Sequence, residues 1–420
     1  MKNQDIKKYV PEHFLKIGCV LVFAIAIRVG YVAVAPPRPV GWDDAGSWDS
    51  VAWNVRQGRG FLEYKNLPTS QRPPVYPLFL AAVYFVFGHN LIAAKIFQCL
   101  ADVVTIFIVY RLAQKIFPPP LPLISAAALA LYPPLIVYNG IIGAEILFTM
   151  MLALAMYFLV LAQGGEEESD SGNLFLWMAS GLFFGLSALT RSTSVFFPFF
   201  YASAMIFSEG KLRFRRRTAA FILIFILTLL PWSLRNYYTL GSFTPIASGG
   251  GGLFWAATVP DFNGEPAPYP MENYYDEAKG RQFHEQDSFA FRLAIKNIIS
   301  RPVFYLKMAG MRFYRVLTEP VGKTLVSRKS FLAGRVLAAV HNLMIILSVI
   351  GAVSSLGSHS VKRLLPLLMI IFYFIVVNSL IASVPRYRLP VEPYILCFAV
   401  QGAGWLFLQI VRKKNSVVSR

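Results

Sequence analysis

The chain has 420 residues, of which 56% are hydrophobic and only 15% charged, and its mean hydropathy is +0.52. That balance excludes an ordinary soluble domain, and several apolar runs reach the ~20 residues needed to cross a ~30 Å hydrocarbon core. The net charge of +18 does not point to nucleic acid, because much of it flanks apolar runs as the positive-inside rule expects.

The expected architecture is an all-α polytopic membrane protein. Lys2, Lys7 and Lys8 precede a first span at about 14–35 and put the N-terminus in the cytoplasm. This run ends in Ala33-Val34-Ala35, which resembles a signal-peptidase site, but it is longer than a signal core and is read as an uncleaved anchor. Arg28 lies inside it, facing either the headgroups or the protein interior. The first outer loop opens with Asp43-Asp44, and Trp48, Val51, Ala52 and Val55 follow at helical spacing. They predict a short amphipathic helix on the membrane surface with Asp44 as its N-cap. Gln71-Arg72-Pro73-Pro74 then leads into an apolar run of about 13 residues ending at Gly88. As a helix that run is ~20 Å long, too short to cross, so it becomes a second interfacial helix.

Further spans follow at about 91–115, 120–136, 141–162, 174–190, 193–208, 218–237, 332–352, 364–383 and 391–411, about ten in all with both ends cytoplasmic. This count places Arg215-Arg216-Arg217 and Arg412-Lys413-Lys414 inside. Three segments result: 1–237, a transmembrane module with a catalytic first outer loop at 36–90; 238–330, an outer loop; and 331–420, the last helices. The outer loop carries a glycine run at Gly249–Gly252 and tyrosines at 269, 274 and 275. Amphipathic helices are expected around Phe289–Ile299 and Phe304–Val316. His284-Glu285-Gln286-Asp287 lacks the two-histidine spacing of a zinc helix and reads as a solvated helix start. Three cysteines, Cys19, Cys99 and Cys397, lie far apart in apolar runs and form no disulfide or metal pattern.

With the helices so placed, ionisable residues collect at the outer face: Asp43, Asp44, Arg72, Glu145, Arg191, Arg235, Arg386 and Arg388. Charges at membrane depth are functional candidates. Arg191 and Arg235 also suit interfacial anchors, and Glu145 a helix cap or arginine partner. Arg386 and Arg388 alternate between prolines and point the same way if extended, an arrangement suited to phosphate.

The order of these motifs resembles the bacterial GT-C glycosyltransferases, specifically protein O-mannosyltransferases and the aminoarabinose transferases that modify lipid A. The matching elements are Asp44, Asn54 with Gly58-Arg59-Gly60-Phe61, and Arg72-Pro73-Pro74-Val75-Tyr76-Pro77. They continue with Glu145, Leu189-Thr190-Arg191, Pro231-Trp232 with Arg235-Asn236-Tyr237, and Arg386-Tyr387-Arg388-Leu389-Pro390. The resemblance implies a sugar carried on a polyprenyl phosphate, chemistry at the exoplasmic face, and inversion at the anomeric carbon. It puts the base on Asp44 with Trp48 four residues on, Asp43 in support, and a donor-binding cation on Arg72. A single carboxylate to take the acceptor proton, with cations on the departing phosphate, is what such a transfer requires. Arg386, Arg388, Arg191 and Arg235 join Arg72 as phosphate ligands, and Gln71, Tyr76, Glu145, Tyr387, Gly250 and Gly251 are candidate substrate contacts.

No cofactor is assigned. A divalent metal beside Arg72 would lack one carboxylate, because Gln71 stands where the aminoarabinose branch has glutamate. Expected partners are the lipid-linked sugar, an acceptor lipid, glycan or protein, and membrane lipids. A diphospholipid-dependent polymerase or ligase and a lipid-linked sugar flippase are the alternatives; no inverted repeat supports the flippase.

Overall fold

The computed structural model describes residues 3–35, 44–63, 67–164, 170–209, 212–241, 243–259, 283–321, 331–357, 361–381 and 384–418. Asp43 and Tyr269, Tyr274 and Tyr275 lie outside them. The protein is a multi-pass helical bundle. Helix α1 (Asn3–Val34) is followed by the short α2 (Ala45–Arg56) and α3 (Val75–Phe87), and then by α4 (Leu91–Ala113), α5 (Leu121–Ala130) and α6 (Pro133–Asn139). The bundle continues with α7 (Glu145–Gly164), α8 (Asp170–Ala188), α9 (Phe197–Glu209) and α10 (Leu212–Leu240). Next come α11 (Gly250–Ala256), α12 (Phe283–Ser300) and α13 (Pro302–Thr318), and the chain closes with α14 (Phe331–Leu356), α15 (Val361–Ile381) and α16 (Glu392–Val418).

A helix lies at each expected span, except that 120–136 is divided between α5 and α6. Seven described helices are long and apolar enough to cross a membrane, and α5 with α6, bent by 46°, makes an eighth if taken as one span. Strand is almost absent: Leu62–Glu63 pairs antiparallel with Leu67–Pro68 inside the first loop, a hairpin the all-α expectation did not contain.

Lipid contributes no hydrophobic drive between helices, so close backbone approach replaces it. Helices α14 and α16 pack at Gly351 and Gly402. A Cβ at Gly351 would lie 1.9 Å from the Phe398 carbonyl oxygen, and one at Gly402 would lie 2.1 Å from that of Leu347. Helices α8 and α10 approach similarly at Gly181, where a Cβ would lie 2.3 Å from the Phe221 carbonyl oxygen.

Arg28 faces the interior, fully buried, and its Nε donates to Asp102 Oδ2 on α4 at 2.6 Å. The rest of its guanidinium repairs the break between α5 and α6. The helical donors for the Leu129 and Ala130 carbonyls would be the nitrogens of Pro133 and Pro134, which carry no hydrogen. Arg28 Nη1 donates to Ala130 O at 3.0 Å and Nη2 to Leu129 O at 3.2 Å. Asn139 Nδ2 completes the knot by donating to Asp102 Oδ2 at 2.8 Å. One arginine thus satisfies both a buried carboxylate and a proline-made gap that the bilayer has no water to fill.

The amphipathic helices gather at the end of the bundle where α1 ends and α4 begins. Helix α2 buries Trp48, Val51 and Ala52 against the Tyr76, Leu80 and Tyr84 face of α3. Helix α13 buries Tyr305, Met308, Ala309, Arg312 and Val316, while Val303, Leu306 and Tyr314 stay exposed. Its Arg312 donates to the carbonyls of Ser379 at 2.7 Å and Ala257 at 2.9 Å, tying the outer helices to the last turn of α15.

Replacing Arg28 with methionine leaves Asp102 buried without its cation and should cost about 3–5 kcal/mol. Thermal unfolding of the purified protein should register that loss, and Asp102→Asn in the same chain should recover part of it.

Candidate active site

The connection between α1 and α3 is built around a shared carboxylate. Asp44 immediately precedes α2, yet its side chain makes no capping bond. The sequence-based cap is therefore corrected: the carboxylate turns outward to two guanidiniums. Arg72 Nη2 donates to Asp44 Oδ1 at 3.0 Å, and Arg386 Nη2 donates to Oδ2 at 3.2 Å. One arginine comes from the bend before α3 and the other from a 3₁₀ turn, Pro385–Val391, that precedes α16. The Asp44 side chain is 42% exposed, against 17% for Arg72 and 28% for Arg386, so the carboxylate is reachable from outside.

Arg72 is held on three sides. Its Nε donates to Ser47 Oγ at 2.7 Å, and its guanidinium lies 4.8 Å from the centre of the Trp48 ring. Ser47 in turn bonds Glu63 of the hairpin, and Thr69 Oγ1 donates to the other Glu63 oxygen at 3.0 Å. Beside this pair, Arg191 Nη1 donates to Glu145 Oε1 at 2.5 Å at the start of α7. Tyr387 lies beneath both Arg191 and Arg386, with ring-centre distances of 4.9 and 5.4 Å. Asp44, Arg72, Arg386, Arg191, Glu145 and Tyr387 therefore form one patch.

Partial burial pushes the Asp44 carboxyl upward, but Arg72, Arg386 and Arg191 outweigh it and hold the group below its ordinary value. The carboxylate is thus ionised in the free protein, poised beside cations that an incoming phosphate would also seek.

Other sequence-predicted residues fall elsewhere. Arg388 is fully buried and bonds Glu392, not Asp44. The extended segment expected for 386–388 is a 3₁₀ turn, in which side chains two residues apart point about 120° away from each other. Arg235 donates to the carbonyls of Thr69 at 2.8 Å and Phe61 at 3.2 Å, clamping the hairpin to α10. Tyr76 is wholly buried, packs edge-on to Trp48 and donates to Gln98 Oε1. It supports the site from below and has no surface to offer substrate.

The Gln71 backbone N–H donates to Thr69 Oγ1 at 3.0 Å. Nearby, Ser70 and Ser248 join through both side chain and backbone. Gly250 and Gly251 are not a loose loop but the first turn of α11, whose N–H groups at Gly251 and Gly252 donate to Asp287 Oδ1 at 2.7 and 3.2 Å. A Cβ at Gly251 would lie 2.1 Å from the Asp287 carbonyl oxygen, which explains the glycine there. Asp287, read from sequence as solvated, is that helix's cap.

Sequence reasoning missed Ser47, Glu63 and Glu392. Only the last left a signal, the four-residue spacing from Arg388. Among the described residues no three His, Cys, Asp or Glu side chains come together to hold a metal. The carboxylates of the patch, Asp44 and Glu145, are engaged by arginines.

Comparison with known proteins agrees with this architecture. A family model described as dolichyl-phosphate-mannose-protein mannosyltransferase matches residues 71–234. The oligosaccharyltransferase AglB from Archaeoglobus fulgidus, solved with an inhibitory peptide and a dolichol-phosphate, superimposes with a TM-score of 0.56 at 14% identity, covering 96% of this chain and 52% of that one. The same enzyme tethered to an acceptor peptide gives a TM-score of 0.57 at 14% identity, with coverage of 94% and 50%. ArnT from Cupriavidus metallidurans bound to undecaprenyl phosphate gives 0.47 at 14% identity, covering 94% and 78%. The chain spans about half the length of the oligosaccharyltransferase. No curated protein matches it in sequence. At these identities the likeness is one of fold, shared with the archaeal oligosaccharyltransferase.

Because Tyr76 is buried, Tyr76→Phe should lower stability by about 1–3 kcal/mol by stranding Gln98. A fall in thermal midpoint is the expected result.

Proposed function

We propose that this protein is an inverting glycosyltransferase that moves a sugar from a polyprenyl-phosphate donor to an acceptor lipid, glycan or protein at the exoplasmic membrane face. The observation that carries the reading is the Asp44 carboxylate shared by Arg72 and Arg386, half-open to solvent at the end of a GT-C bundle. The family match over 71–234 supports a lipid-phosphate sugar donor. Exposed basic residues at Arg215, Arg216, Arg412, Lys413 and Lys414 sit at helix ends opposite this patch. That polarity supports a bacterial inner-membrane protein with the site on the outer side and both termini inside.

In this mechanism the donor phosphate enters between Arg72 and Arg386, with Arg191 and Tyr387 alongside. The acceptor hydroxyl attacks the anomeric carbon from the face opposite the phosphate, and its proton passes to Asp44. The new carbon–oxygen bond forms as the bond to the phosphate oxygen breaks, and the configuration inverts. The polyprenyl phosphate leaves with one more negative charge, which the guanidiniums stabilise. Its phosphate needs no acid, because it is already a good leaving group. Arginines engaged by phosphate release their hold on Asp44, so the carboxylate becomes a better base once the donor is seated.

Sugar release from a panel of polyprenyl monophosphate and diphosphate donors tests this reading in lipid. Asp44→Asn should lower turnover of the accepted donor by at least about 100-fold while undecaprenyl phosphate still binds. Equal turnover in both proteins would remove Asp44 from the role of base.

Because Asp44 is depressed in the free protein, the acid limb of kcat/KM should lie below the range of an ordinary carboxylate. Arg72 contributes the largest stabilisation of its charge, so Arg72→Gln should move that limb upward. A limb that stays put would detach Asp44 from Arg72.

A further inference from the structure

Arg388 stands two residues beyond Arg386 and turns the opposite way, into the protein. It is 1% exposed. Its Nε donates to Glu392 Oε1 at 2.5 Å, and its Nη2 donates to the Glu319 carbonyl at 3.0 Å. The same Nη2 lies 3.0 Å from His341 Nε2 of α14, which also lies 2.9 Å from the Leu317 carbonyl oxygen. The second oxygen of Glu392 accepts from the Tyr132 hydroxyl at 2.8 Å, at the bend between α5 and α6. One guanidinium therefore gathers the first residue of α16, the bend, α14 and the end of α13.

In the turn that carries Arg386, Pro385 and Pro390 supply no N–H; the Tyr387 N–H donates to the Val384 carbonyl at 2.9 Å at its start, and the Glu392 N–H donates to the Leu389 carbonyl at its end. Leu389, Pro390 and Val391 are buried behind it. A guanidinium so enclosed cannot also meet a substrate phosphate.

We propose that Arg388 is a positioning residue that acts on transfer through Arg386, by rooting the 385–391 turn so that Arg386 reaches Asp44. This rests on the proposed function only in taking Arg386 as a donor-phosphate ligand. The contact with Glu319 also ties the register of the turn to the end of the outer-loop helix α13.

Two measurements on the full-length protein in nanodiscs test it. In the first, Asp44→Cys and Arg386→Cys are joined by a short bifunctional thiol reagent, with Cys19→Ser to remove the exposed native thiol. Adding Arg388→Met with Glu392→Leu removes both buried charges together, a swap such pairs tolerate. Crosslinking should fall by about five-fold or more in that background, and Arg388→Lys should keep most of it. Undiminished crosslinking in a folded protein would overturn the proposal.

In the second, undecaprenyl phosphate binding is measured. Arg386→Ala and the Arg388→Met/Glu392→Leu pair should each weaken binding by about ten-fold, and combining them should weaken it no further. Multiplying losses would assign Arg388 a role independent of Arg386 and overturn the proposal. If the unaltered protein binds no undecaprenyl phosphate, the proposed function fails, and the crosslinking result still decides whether Arg388 positions the turn.

Discussion

A carboxylate caught between two arginines brings together parts of the chain more than 300 residues apart. Asp44 belongs to the first loop, Arg72 to the approach to α3 and Arg386 to the turn before the last helix. The carboxylate accepts from Arg72 at 3.0 Å and from Arg386 at 3.2 Å, and the surrounding contacts are arranged to hold them there. Ser47 and Trp48 orient Arg72, Tyr387 supports Arg386 and Arg191, and Glu145 keeps Arg191 from drifting toward Asp44.

The arginines divide into two groups by what satisfies them. Arg72, Arg191 and Arg386 are partly exposed and face carboxylates that a ligand phosphate could displace. Arg28, Arg235 and Arg312 are spent on main-chain carbonyls where a helix breaks, a hairpin crosses or a helix ends. The guanidinium suits that second task because it offers several donors in one plane and stays charged. In a bilayer, carbonyls left open by proline or by a helix terminus have no water to turn to.

Much of the fold was legible because the membrane imposes length and polarity on each segment. The 13-residue run before Gly88 was too short to cross, and it forms α3 beside α2. Asp44, Arg72 and Arg386 were legible as charges at one membrane face. The rest depended on rotation about local axes, which a charge list does not carry. Tyr76 turns inward because α3 buries the face that carries it. Arg388 separates from Arg386 because Pro385 and Pro390 favour a tight turn over an extended run. The glycines at 250 and 251 look like slack in the sequence, yet the close approach of Asp287 makes them a tight helix start.

The contact between α14 and α16 bears on the site in another way. At Gly351 and Gly402 main chain rests on main chain, with no side chains between them to compress or repack. The two helices must therefore tilt together. Since α16 begins where the Arg386 turn ends, a bilayer of different thickness that changes their common tilt also changes the angle at which Arg386 is offered to Asp44.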